Sequence, residues 1–97
     1  MKNTIRVIAL FNAKPEKVSE LKTLLTGFIE PTRKEKGCIR YELHQNTSDP
    51  LDFAFIEEWE SHESLDAHLQ STHIQTALPH IGAYLTKEPD IRRYVLS

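Results

Sequence analysis

The chain has 97 residues, of which 39% are hydrophobic and 27% charged, and its net charge is -2. That balance fits one globular domain with a single modest core and carries no basic stripe for a nucleic-acid partner. One cysteine, Cys38, excludes an intrachain disulfide, and no stretch reaches the roughly 20 apolar residues of a membrane span.

The first apolar run, 5–11, reads as a strand. Ile5, Val7, Ala9 and Phe11 lie on one side, Ile8 and Leu10 on the other. Arg6 interrupts the run, and no small-residue cleavage site follows, so no signal peptide is expected. With a lone cysteine, the default location is the reducing cytoplasm. Pro15 and Glu16 open a helix, since proline and an acid both suit a first turn. Val18, Leu21, Leu25, Phe28 and Ile29 then recur at helical spacing. Pro31 removes one backbone donor, and the helix is expected to continue through it with a kink at Gly27, ending at Gly37.

Residues 38–46 read as the second strand, with Ile39, Tyr41 and Leu43 on one face and Arg40, Glu42 and His44 on the other. The turn formers at 46–50 connect it to a third strand, 52–60, making an antiparallel hairpin. Phe53, Phe55, Glu57 and Trp59 share one side of that strand. Ser61 can cap a short helix running to Leu69. Thr72 and Gln75 have capping-box spacing for a further helix, with Ile74, Ala77, Leu78, Ile81 and Leu85 inward and a bend at Pro79. Residues 91–96 form the last strand. The order strand, helix, strand, strand, helix, strand is the split-βαβ, ferredoxin-like α+β arrangement in one domain spanning 1–97. Helices cover one face of such a sheet. The doubly apolar first strand would leave hydrophobic side chains on the other, so a homodimer packed sheet against sheet is expected.

The chemistry-bearing residues gather between 57 and 73. His68 stands with Leu65 and Leu69 on an apolar helical stripe, where burial favours a neutral imidazole able to accept a proton. Glu57 lies between two aromatic residues on an inward strand face and needs a partner there. It could orient His68 or His44, act as acid or base itself, or bond to a helix terminus near 71–73. Trp59 can stack on a flat ligand or simply fill the core. His73 sits at a helix start, near the mouth of any pocket. Tyr41 and His44 point to opposite faces of one strand, so they share a cavity only if a bulge intervenes. Spacing speaks against a metal. His68 and His73 are five apart across a break, not at the i, i+4 of a helical zinc pair, and Cys38 is alone. No glycine-rich phosphate loop is present, so no nucleotide cofactor is expected either.

The run Glu30-Pro31-Thr32-Arg33-Lys34-Glu35-Lys36-Gly37-Cys38-Ile39-Arg40-Tyr41-Glu42-Leu43-His44 resembles a signature of the antibiotic biosynthesis monooxygenase family. So does Phe53-Ala54-Phe55-Ile56-Glu57-Glu58-Trp59-Glu60-Ser61, followed by Leu65-Asp66-Ala67-His68-Leu69 and Thr72-His73. The resemblance implies a dimeric ferredoxin-like fold with a pocket between sheet and helices. It also implies oxidation of a small electron-rich aromatic, a quinol or phenol, by dioxygen without metal, flavin or haem. On that basis His68 would be the base or proton shuttle, Glu57 the orienting carboxylate and Trp59 the aromatic wall. His44, His73 and Tyr41 would be further substrate contacts. Similar proteins also include an isomerase of a phosphorylated hydroxy-dione, whose phosphate would call on Arg33 and Arg40. Haem-degrading relatives typically show an Asn–Trp–His set, and the expected asparagine is not apparent here. A non-catalytic dimer that binds a hydrophobic ligand is a third class, since fold does not fix function.

Overall fold

The computed structural model describes residues 3–97. Strands β1 (Ile5–Asn12), β2 (Cys38–Gln45), β3 (Asp52–Trp59) and β4 (Asp90–Tyr94) form one antiparallel sheet in the order β2-β3-β1-β4. Helices α1 (Val18–Thr26), α2 (Ile29–Arg33), α3 (His62–Leu69) and α4 (Thr72–Ile81) fill the connections, so the fold is ferredoxin-like. Alternation decides which side is interior. Ile5, Val7, Ala9 and Phe11 on β1 and Phe53, Phe55, Glu57 and Trp59 on β3 are all buried. Their neighbours on each strand face the other way, and Ile8, at 37% exposure, is left open there.

Three local readings differ from expectation. The first helix does not run unbroken through Pro31 to Gly37. It stops at Thr26, turns at Gly27 and Phe28, and restarts as α2. Proline has no N–H for the carbonyl of Gly27, so the ladder breaks one turn ahead of it, and Phe28 bonds instead to the carbonyl of Leu25 at 3.1 Å. The capping box lies at Ser61 and Ser64, not at Thr72 and Gln75. Gln75 donates to the carbonyl of Leu69, and the hydroxyl of Ser71 donates to that of His68. Leu78, expected inward, is half exposed at the edge of the helical layer.

Gly37 is where the helical arm turns into β2. Its φ of 87° lies in the left-handed region, and a Cβ there would collide with the side chain of Ser64. Its carbonyl accepts from the N–H of Glu60 at 2.8 Å, tying the start of β2 to the end of β3. A bulge between Cys38 and Arg40 turns Ile39 outward and leaves Tyr41 buried opposite Glu57. These two devices position the segment carrying Glu35 against α3.

Candidate functional site

A cavity of about 290 Å³ lies between the sheet and the helices. Its floor is Val7, Ala9, Phe11, Tyr41, Phe55 and Glu57; α3 and α4 roof it, and Pro89 and Ile91 stand at its edge. Apolar and aromatic carbon dominates this lining. Glu57, His68 and Tyr41 supply ionisable atoms, and Gln70 and Gln75 supply amides. Among the described residues no lysine or arginine lines it.

His68 is 3% exposed. Its Nδ1 lies 2.6 Å from Oε1 of Glu35. An ionised carboxylate only accepts, so a neutral ring carries its proton on Nδ1 and leaves the Nε2 lone pair free. No fully buried side-chain polar atom lacks a partner among the described residues. Nε2 makes no hydrogen bond to another side chain or backbone group among the described residues, and His68 lines the cavity. The ring is held by aromatic neighbours, with Trp59 at 4.8 Å, Tyr41 at 5.4 Å and His73 at 5.8 Å between centroids. Burial pushes its pKa below 6.5, against the opposing pull of the Glu35 carboxylate.

Glu57 sits in the middle of the sheet, flanked by Val7 on β1 and Tyr41 on β3's other neighbour, β2. Its Oε1 accepts from the indole N–H of Trp59 at 2.9 Å. Burial raises its pKa to about 7, the indole bond working the other way and the charge of Glu35 adding to the rise. Burial beside Glu57 also pushes the Tyr41 phenol far above its ordinary range. The thiol of Cys38 rises to about 11 for the same first reason, burial, followed by the charge of Glu57.

Of the six residues singled out in the sequence, Glu57, His68 and Tyr41 line the cavity. Trp59 is fully buried and does not line it; its indole is committed to Glu57 and backs the His68 ring. The walls a flat ligand would meet are Tyr41, Phe11, Phe28 and Phe55 instead. His73 does not line the cavity; it lies beside His68, its Nε2 2.9 Å from the Thr32 hydroxyl. His44 is exposed on the opposite face of the sheet, 3.2 Å from Glu42, because regular alternation after the bulge carries it away from the cavity. The partner of His68 is Glu35, not Glu57. Sequence reasoning missed it because the polar run 32–36 reads as a solvated helix end. Only the break before Pro31 and the turn at Gly37 bring that carboxylate to α3. Arg33 is spent on the carbonyl of Tyr41, at 3.0 and 3.2 Å, and Arg40 lies on the outer face.

A ferredoxin-like sheet with a largely apolar cavity under its helices, and a buried histidine–carboxylate pair at the cavity wall, is the class of protein this chain represents. The sequence pattern of the antibiotic biosynthesis monooxygenase family matches residues 4–79, and the chain belongs to that family. Rv0793 of Mycobacterium tuberculosis, provisionally named a monooxygenase, is 34% identical over 87 residues, covering 90% of this chain and 85% of that protein. Its solved structure superposes with a TM-score of 0.91, covering 97% of this chain and 95% of the other. A conserved protein from Methanosarcina mazei has 40% identity and a TM-score of 0.90, over 95% of this chain and 91% of the other. An uncharacterised Synechocystis protein is 33% identical over 90% of this chain, which spans only about half (54%) of that relative's length.

Proposed function

We propose that the protein is a monooxygenase that oxidises a small electron-rich aromatic, a quinol or phenol, with dioxygen and no resident cofactor. The observation that carries this reading is the buried His68 in the wall of an apolar, aromatic-lined cavity, with its Nδ1 held by Glu35. Removing a phenolic proton makes an anion electron-rich enough to pass an electron to oxygen directly. The protein's task is then to bind, deprotonate and exclude water. A hydroquinone loses two hydrogens and gains one oxygen atom, and the second oxygen atom leaves as water. Among the described residues no lysine or arginine lines the cavity, which favours an uncharged aromatic over a phosphorylated hydroxy-dione. Incubating the protein with a quinol panel under ¹⁸O₂ is expected to give one labelled oxygen per product molecule and one oxygen molecule consumed per quinol. Equal turnover without oxygen, or product carrying unlabelled oxygen only, would overturn the reading.

The protein acts as a homodimer joined through its open sheet face. Ile8 on β1, Ile56 on β3 and Tyr94 on β4 lie on the side that the helices leave uncovered. Ile8 and Tyr94 are 37% and 45% exposed, a patch that association would remove from water. Light scattering behind gel filtration is expected to give twice the chain mass. The double substitution Ile8→Lys and Ile56→Lys should return it to the single-chain mass; a wild-type protein at single-chain mass would end the dimer proposal.

A further inference from the structure

We propose that Glu35, His68 and His73 form a binding site for a divalent ion of the zinc class, beside the cavity wall. Each offers one ligand atom, and the three atoms lie within 4.8 Å of one another. Two imidazole nitrogens and a carboxylate are a donor set that zinc and its neighbours accept, with the remaining position left to water. Ligands around a tetrahedral ion sit roughly 3.3 Å apart, given bonds of about 2.0–2.1 Å. The Glu35–His68 contact, now 2.6 Å, would open slightly, and His73 would close on the pair.

The arrangement exceeds what the Glu35–His68 hydrogen bond requires. That bond involves two groups; the third comes from a separate helix. The turn at Gln70 and Ser71 between α3 and α4 folds His73 back beside His68, although their spacing in sequence is not that of a helical pair. Thr32 bonds the His73 ring, as outer partners commonly fix a ligating imidazole. Glu35 and His73 are only half-buried, which gives an ion a way in from solvent, and neither lines the cavity. One consequence rests on the proposed function. A metal on Nδ1 moves the ring's remaining proton to Nε2, so the occupied form presents no base to the cavity and is switched off.

Binding is measured on the untagged full chain with Zn²⁺ against a chromophoric chelator, and with Co²⁺ by its visible ligand-field bands. One ion per chain is expected, together with a rise in Tm. His73→Ala and Glu35→Gln should each weaken binding by at least the ~10–100-fold that loss of even an outer partner costs. Replacing His44, His62 and His80 together by asparagine should leave it unchanged. No stoichiometric binding by the wild type, or binding that survives His73→Ala, or binding that is lost with the three surface histidines, overturns the site. These readouts do not depend on turnover, so the site stands or falls separately from the monooxygenase reading. Zinc inhibition of quinol oxidation that disappears in His73→Ala then tests the switch.

Discussion

His68→Ala is expected to lower kcat for quinol oxidation by ~10²–10⁴-fold, the range that a positioned general base contributes. The substitution removes the imidazole that lines the cavity, while Tyr41, Phe28 and Phe55 still bind a flat ring, so KM should change far less. Far-UV circular dichroism on the variant separates loss of chemistry from loss of fold. The pH profile adds an independent reading. Burial holds His68 neutral below 6.5, so kcat/KM in the wild type should stay high through that value and fall only at lower pH. Glu35→Gln should also depress kcat, because an amide N–H turned towards Nδ1 would force the proton onto Nε2, the tautomer that cannot accept. The acid limb should then move lower still, since the carboxylate that favours the protonated ring has gone. A His68→Ala enzyme with wild-type kcat would remove the base from the mechanism.

The fold was legible because its signals are periodic. β1 is an apolar run broken only by Arg6, β3 sets Phe53, Phe55 and Trp59 on one side, the hairpin turn is dense in turn formers, and the last strand follows a clear break; each became the expected element within one or two residues. The site was legible only in part. His68 announced itself by standing on an apolar stripe, and Glu57 by standing between Phe55 and Trp59. Glu35 carried no such mark. Its role depends on where a helix breaks, how Gly37 turns and how far α3 reaches, and each is a tertiary matter that residue spacing does not encode. The argument from spacing against a metal depends on the same tertiary matter. Five residues separate His68 from His73, but a chain reversal rather than a helical turn sets their distance. Trp59 shows the converse. An indole on an inward face could wall a ligand or satisfy a buried carboxylate, and the outcome turned on Glu57 lying two residues away on the same side of β3.

Glu57 should make the protein less stable as the pH rises from about 4.5 to about 7. The unfolded chain loses this proton near 4.5, whereas burial keeps it on the folded protein to about 7. Between those values the native state binds more protons than the unfolded one, so the free energy of unfolding falls with increasing pH and levels off above about 7. The full drop is on the order of 3 kcal/mol. His68 acts with the opposite sign. Its folded pKa lies below 6.5, so the unfolded state binds the extra proton there, and stability contributed by His68 rises with pH up to about that value. The wild-type curve alone therefore mixes two opposed slopes. Glu57→Gln separates them, since the amide keeps the shape and can still accept from the Trp59 indole but cannot ionise. Denaturant titrations should find the two proteins within about 1 kcal/mol of each other near pH 4.5. By pH 8 the variant should be the more stable by on the order of 3 kcal/mol. Trp59→Phe should do the reverse, removing the indole donor that steadies the carboxylate and raising the pKa of Glu57 further, to be read from the carboxyl carbon by NMR. Parallel stability curves for wild type and Glu57→Gln across this range would mean that the carboxyl group at position 57 is not held protonated by its surroundings, and that the cavity floor is wetter than its apolar lining implies.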